Sequence, residues 1–159
     1  VGRMPRTVLA TPLGPLTLVS NGAALTAATF DPADLGAEAE GEDAVLAAAS
    51  DQLAAYFAGE PVAFDVPLRL GGTPFQERVW AALSAIPHGD TVSYGMLAAR
   101  VGMPKGAQAV GAANGQNPVA VIVPCHRVVG ADGALVGYAG GLERKRALLD
   151  LESRQRRLF

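Results

Sequence analysis

The sequence predicts an α+β fold in two small units, and three observations carry that reading. Short apolar runs around an Asn-Gly pair open the chain, helical periodicity follows, and Leu70-Gly71-Gly72 then breaks the pattern ahead of a mostly helical stretch. Residues 1–69 read as an antiparallel sheet with one helix, a scaffold without a polar constellation; residues 73–159 read as the part that carries chemistry. With 159 residues, 50% of them hydrophobic and 18% charged, the chain has enough apolar surface for packed cores and is not disordered.

Leu16-Thr17-Leu18-Val19 is a strand pattern, Asn21-Gly22 suits a tight hairpin turn, and residues 25–30 return as the partner strand. The acidic, Ala/Gly-rich stretch 31–43 reads as a loop. Val45, Leu46, Ala49, Leu53, Tyr56 and Phe57 recur at helical spacing, and Gly59 is placed to close that helix. After the glycine break, Thr73-Pro74-Phe75-Gln76 has the form of a capping box with proline in the first turn. Phe75, Val79, Leu83 and Ile86 line the helix that it opens, with Trp80 beside them. Ser93 is placed to cap a short helix ending at Gly102, and residues 105–115 offer a second helix of small residues; such a pair resembles a helix-turn-helix. The wholly apolar run 119–123 reads as a buried strand. A glycine-rich loop spans 130–141, and a last helix spans 142–152 with Leu142, Leu148 and Leu149 inward. Arg154-Gln155-Arg156-Arg157 reads as a solvated basic tail.

The net charge of −2 hides an asymmetry. Residues 1–66 hold two bases and nine acids, whereas residues 67–159 hold eleven bases and six acids. A basic back half suits a polyanionic partner. Cys125 is the lone cysteine, so an internal disulfide and a cysteine-based zinc cluster are both excluded, and with only His88 and His126 no metal-ligand spacing can be assembled. A free thiol fits a reducing compartment, and no run of eighteen apolar residues suggests a membrane span.

Cys125 is the strongest nucleophile in the sequence, and a histidine follows it directly. An ordinary thiol is only a few per cent ionised at neutral pH, so a nucleophilic cysteine needs a base, and an imidazole backed by a carboxylate is one. Neighbouring residues on a strand point to opposite faces, so Cys125 and His126 cooperate only if the chain turns there or a water bridges them; Pro124 favours the turn. A buried cysteine beside a satisfied histidine is the plain alternative.

The stretch Asn117-Pro118-Val119-Ala120-Val121-Ile122-Val123-Pro124-Cys125-His126-Arg127-Val128-Val129 resembles the active-site signature of the O6-alkylguanine-DNA alkyltransferases. The resemblance covers most of the chain: Thr11-Pro12-Leu13-Gly14-Pro15-Leu16, Leu53-Ala54-Ala55-Tyr56-Phe57, Thr73-Pro74-Phe75-Gln76, Val92-Ser93-Tyr94-Gly95 and Gly137-Tyr138-Ala139-Gly140-Gly141-Leu142 fall in the same order. It implies a ribonuclease H-like first domain and a winged-helix-like second. It implies single-turnover transfer of an alkyl group from O6 of guanine in duplex DNA to Cys125, with the damaged nucleotide flipped out of the stack, and with O4 of thymine as a second candidate atom. His126, through a water, would take the thiol proton, with Glu152 behind it. Tyr94 and Lys145 would serve the leaving base, and Asn117 would brace the reactive turn. The carbonyls of Cys125 and Val128, together with Tyr138, Ala139 and Gly140, would hold the guanine. Gln108, Ala107, Ala109, Gly111, Ala112, Ser93 and Arg127 would meet the DNA. No cofactor is implied, and the structural zinc of some relatives is not expected, because its cysteines are missing. A monomer in a bacterial cytoplasm, on the nucleoid when bound to DNA, is the expected setting; Ala-, Gly- and Arg-rich usage fits a GC-rich bacterium.

Two other functions stay open on the sequence. One is an alkyltransferase-like lesion binder without repair activity, in which the cysteine would normally be replaced. The other is a cysteine hydrolase, for which no oxyanion hole is apparent. Where the family carries an arginine that fills the gap left by the flipped base, this chain has Gln108, which can hydrogen-bond an orphaned base but brings no charge to the phosphates. Gln108→Arg is therefore expected to tighten duplex binding several-fold at fixed salt; an unchanged dissociation constant in a titration shows that another residue supplies that attraction.

Overall fold

The structure, a computed structural model, describes residues 5–35, 39–41, 43–60 and 62–158. The chain divides into two compact units. One comprises residues 1–70 with Pro118–Ala120, and the other comprises Gly71–Asn117 and residues 121–159. The excursion of Pro118–Ala120 into the first unit is a feature that a linear division of the sequence does not contain.

In the first unit, β1 (Pro5–Thr11), β2 (Gly14–Ser20), β3 (Leu25–Thr29) and the short β4 (Ala39–Glu40) form one sheet in the order β3-β2-β1-β4. β1 and β3 run antiparallel to β2, and β4 pairs parallel to β1. β2 lies inside the sheet, and its residues Leu16–Ser20 are all buried. The β2–β3 connection is longer than a two-residue hairpin: it spans residues 21–24, and the Asn21 side chain accepts from the Ala23 and Ala24 amides at 2.9 and 2.8 Å. The free edge of β3 is covered in two places. Leu25 N–H donates to the Pro67 carbonyl at 2.8 Å, and Ala28 N–H donates to that of Pro118 at 2.9 Å. α1 (Ala44–Phe57) packs on this sheet through Val45, Leu46, Ala49, Leu53 and Tyr56. Its N-cap, Asp43, accepts from the Leu46 amide, while its other oxygen accepts from Ser20 Oγ at 2.8 Å, tying the cap to β2. Ala58 is the C-cap, and Gly59 follows at φ 91°. The stretch 31–43, expected as a loop, contains a 3₁₀ turn at Pro32–Leu35 and strand β4.

The second unit opens with α2 (Pro74–Ser84). Its capping box is complete: Thr73 Oγ1 accepts from the Gln76 amide, and the Gln76 side chain accepts from the Thr73 amide. Ser93 caps α3 (Tyr94–Arg100) by accepting from the Met96 amide at 3.0 Å. After the turn at Gly102, α4 (Ala107–Gly115) starts at the Gly106 cap, so Lys105 lies in the turn rather than on the helix. α4 is fastened to α2 by Trp80, whose Nε1–H donates to the Ala113 carbonyl at 2.9 Å in a buried setting. β5 (Val92–Ser93) pairs parallel with β6 (Val128–Val129), and a 3₁₀ turn at Cys125–Arg127 leads into β6. α5 (Leu142–Leu158) continues past Glu152, because no proline or glycine follows to stop it. Leu148 is fully buried, but Leu142 is 48% exposed at the helix start, contrary to the inward placement expected. Arg154 is exposed; the side chains of Gln155, Arg156 and Arg157 lie outside the described residues.

The apolar run 119–123 is buried but is not a strand. Val119 makes one bridge to Ala28, residues 120–122 turn, and Val121 takes φ 70°, the left-handed region that β-branched residues avoid. Burial on all sides gives the same apolar signature to a turn as to a ladder strand. Among the described residues, no helix is long and apolar enough to cross a membrane.

Gly72 packs against the face of Trp80: a Cβ there would lie 2.4 Å from Trp80 Cζ3. The indole cannot retreat without releasing its bond to α4. Gly72→Ala is therefore expected to cost roughly 1–3 kcal/mol, read as a lower denaturation midpoint; an unchanged midpoint would show that the ring has room to move.

Candidate active site

Cys125, His126 and Arg127 lie on one 3₁₀ turn, entered through Pro124 at φ −83°, ψ 64°. Arg127 N–H donates to the Pro124 carbonyl at 3.0 Å, and Val128 N–H donates to that of Cys125. Successive side chains on such a turn diverge by roughly 120° rather than alternating across a plane. The thiol, imidazole and guanidinium thus radiate from one point, all buried: Cys125 is 6%, His126 0% and Arg127 8% exposed.

The turn is braced from the end of α4. Asn117 Nδ2 donates to the Val123 carbonyl at 2.8 Å, and its side chain also bonds to Cys125. Asn114, 4% exposed, donates from Nδ2 to the Cys125 carbonyl at 3.4 Å, so that carbonyl already serves two donors. Sequence reasoning passed over Asn114. The available signal was a polar residue at an inward position, following Val110 and Ala113 at helical spacing.

Burial pushes the Cys125 thiol above its ordinary pKa, while Asn117 and the Lys145 cation pull it back. The net direction is upward, so the group rests as a thiol and needs a base to become a nucleophile. His126 Nε2 meets Glu152 Oε2 of α5 at 2.7 Å. Burial holds the imidazole below its ordinary pKa despite Glu152, and the Arg127 and Lys145 cations add to that lowering. Burial pushes Glu152 up, but the hydrogen bond from His126 and the bonds and charge of Arg127 more than reverse it, and the carboxyl sits well below the usual range. An ionised carboxylate against a neutral imidazole assigns the ring proton to Nε2, leaving the Nδ1 lone pair as an acceptor. Nδ1 is buried and has no hydrogen-bond partner in the protein among the described residues.

Arg127, expected at the DNA surface, is not there. Its Nε donates to Glu152 Oε1 at 2.8 Å, Nη2 to Oε2 at 3.0 Å and Nη1 to the Ile86 carbonyl at 2.7 Å. A buried carboxylate outcompetes solvent and phosphate for a guanidinium whose donors fit both oxygens.

Across the site, Tyr94 O–H donates to the Val136 carbonyl at 3.1 Å. Lys145 Nζ donates to the same carbonyl at 2.8 Å and to that of Gly137 at 3.0 Å, and lies 5.9 Å from the Tyr94 ring centroid. Lys145 is fully buried rather than solvated, and burial lowers its pKa against the opposing pull of Cys125. Burial raises the Tyr94 hydroxyl, the Cys125 charge adds to this, and Asn114 opposes it. In the loop that follows β6, Tyr138 Oη is buried with no hydrogen-bond partner among the described residues, Ala139 is exposed, and the Gly140 carbonyl accepts from Arg144 at 3.0 Å. Val128 is held in the β5–β6 pair.

On α4, Gln108, Ala109 and Ala112 are exposed, and Ala107 is half-buried. Gly111 does not share that outer face: a Cβ there would lie 3.7 Å from the Tyr94 ring. Ser93 spends its hydroxyl on the α3 cap. Arg100 and Lys105 are exposed cations flanking the α3–α4 turn.

Comparison with known proteins places this geometry among relatives. Residues 4–70 match the model for the 6-O-methylguanine DNA methyltransferase ribonuclease-like domain, and residues 74–154 match that for the 6-O-methylguanine DNA methyltransferase DNA binding domain. A methylated-DNA–protein-cysteine methyltransferase of Mycobacterium tuberculosis is 53% identical over 152 residues, covering 89% of this chain and 87% of its own. The protein of the same name from Mycobacterium leprae is 52% identical over 149 residues, covering 91% and 89%. The crystal structure of Mycobacterium tuberculosis OGT in complex with DNA superposes with a TM-score of 0.86 at 50% identity, covering 95% of this chain and 94% of that one.

Acid should loosen this site. The unfolded chain takes up the His126 proton as pH falls below 6.5, the ordinary imidazole value, while the folded form resists it; Glu152 adds its share below 4.5. The thermal midpoint is expected to drop between pH 7 and pH 5 and to fall faster below that. A midpoint flat across the range, followed by circular dichroism, contradicts a buried neutral imidazole.

Proposed function

The chain belongs to the 6-O-methylguanine DNA methyltransferase family, and from that premise we propose that it repairs alkylated DNA by moving the alkyl group from O6 of guanine to Cys125. It is a methylated-DNA–protein-cysteine methyltransferase, and DNA is its partner. The observation that supports the residue-level reading is that the thiol, imidazole and carboxylate are all buried on one turn and one helix, the imidazole bonded to the carboxylate, with Tyr94 and Lys145 sharing the Val136 carbonyl.

The steps follow from access and charge. An alkylated O6 inside a duplex cannot meet a buried sulfur, so the nucleotide leaves the stack, at a cost of a few kcal/mol that is smallest at a weakened pair. Sγ attacks the alkyl carbon as the carbon–O6 bond breaks. The thiol proton passes to His126 Nδ1, through a water, and Glu152 stabilises the imidazolium. The electron pair from the broken bond goes to the base, which leaves as an anion unless a donor meets it. The Tyr94 hydroxyl is that donor, once it exchanges the Val136 carbonyl for the guanine, and the Lys145 cation supports the developing charge. Tyr138, Ala139 and Gly140 close over the base. Its exocyclic amine takes the Val128 carbonyl, and it takes that of Cys125 only by displacing Asn114. The thioether has no route back to the thiol, so each molecule acts once. Gln108, Ala107, Ala109 and Ala112 present α4 to the duplex.

The test is the mass of the intact protein after incubation with a duplex containing O6-methylguanine. One methyl is expected on the wild type and none on Cys125→Ser; binding with unchanged mass in the wild type would leave a lesion binder instead. The same assay with O4-methylthymine decides the second substrate.

A further inference from the structure

All three nitrogens of the Arg127 guanidinium are committed inside the site, to Glu152 and to the Ile86 carbonyl. We propose that Arg127 is a positioning residue whose fork on Glu152 keeps His126 uncharged and in the one tautomer that can accept the Cys125 proton. The inference deepens the acid–base role given to His126 above and rests on it.

The geometry sets the charge balance. Glu152 Oε2 accepts from both His126 Nε2 and Arg127 Nη2, and Oε1 accepts from Arg127 Nε. Nη1 is anchored to the Ile86 carbonyl, just beyond α2, so the guanidinium cannot swing away with the carboxylate. At rest, the three buried groups hold one negative charge, one positive charge and one neutral ring, and their sum is zero. Without the guanidinium, a carboxylate 1% exposed would be left with only a neutral imidazole. A lone buried charge is costly, so the pair would take a proton from solution.

Either landing place for that proton disables the base. On Nδ1 it occupies the lone pair that should receive the thiol proton. On Glu152 it turns the carboxyl into a donor toward Nε2, which forces the ring proton onto Nδ1. The other charged groups around the ring act in known directions: Glu152, from α5, favours the imidazolium, and Lys145, also from α5, opposes it, as Arg127 does from the turn itself. Removing Arg127 takes away one of two opposing cations and the partner that keeps Glu152 ionised; both changes raise the pH at which the pair protonates. A lysine keeps the charge but not the fork, because an ammonium cannot bond both oxygens in plane while also holding Ile86.

The experiment uses the full chain as wild type, Arg127→Gln and Arg127→Lys, with two readouts. One is the pH titration of the His126 ring by NMR, assigned against His88→Gln. The other is the rate of methyl transfer from duplex O6-methylguanine as a function of pH. In Arg127→Gln the ring midpoint should rise by about one pH unit or more, and the acid limb of the rate profile should move up with it, so that transfer at a pH below both midpoints falls about tenfold and recovers as the pH is raised. Arg127→Lys should move both in the same direction by a smaller step. A midpoint equal to wild type, or a loss of rate that is the same at every pH, overturns the proposal and leaves Arg127 as packing. If Arg127→Gln does not fold, Arg127→Lys decides alone, and an unmoved midpoint there counts against it. A wild type that takes no methyl at any pH refutes the acid–base reading instead, while the ring titration still judges Arg127.

Discussion

A carboxylate with almost no contact with solvent joins the last helix of this protein to its reactive turn. Glu152 accepts from His126 and doubly from Arg127, and the tautomer of the imidazole follows from it. Such a group is stable only while every oxygen is satisfied; removing one partner of a buried pair commonly costs about 3–5 kcal/mol. The same constraint makes the site orderly, because the tautomer of His126 and the orientation of Arg127 follow from where the carboxylate lies. α5 therefore has to be a regular helix at residue 152, and the turn at Cys125–Arg127 has to be a 3₁₀ turn rather than a strand.

The opposite wall works by occupancy. The Val136 carbonyl accepts from both Tyr94 and Lys145, so these two donors are held on the loop and close to each other. A base with acceptors of its own replaces one set of hydrogen bonds by another, which costs less than desolvating free donors. Lys145, fully buried among backbone carbonyls, is a further cation that keeps the His126 ring neutral.

α4 serves both the outer and the inner face of the second unit. Its exposed side carries Gln108, Ala109 and Ala112, while its inner side ends in Asn114 and is followed by Asn117, both bonded to the reactive segment. Trp80 holds the helix from behind through the Ala113 carbonyl. A displacement of α4 would thus be felt at the Cys125 carbonyl through the one hydrogen bond from Asn114.

Local chemistry was legible in the sequence wherever it acts over a few residues. The Thr73–Gln76 capping box, the Ser93 cap, the α1 periodicity followed by Gly59 and the turn after Pro124 all read correctly, because caps, turns and helix faces are set by neighbours along the chain. β1 was missed, since its residues are mostly half-buried or exposed and carry little alternation. Residues 119–123 have the composition of a strand and form a turn instead, because composition reports burial and not direction. Arg127 was sent to the surface, because a charged residue in a basic half resembles a phosphate ligand until its partner is known. That partner lies twenty-five residues away on another element, as does the carbonyl that holds Tyr94, forty-two residues on. The sequence by itself determined the caps at Thr73 and Ser93 and laid out along the chain a thiol, an imidazole, a carboxylate and a guanidinium. Only the tertiary structure decided which of those groups are buried together, and burial is what converts a thiol, an imidazole, a carboxylate and a guanidinium from four independent titrating groups into one coupled site.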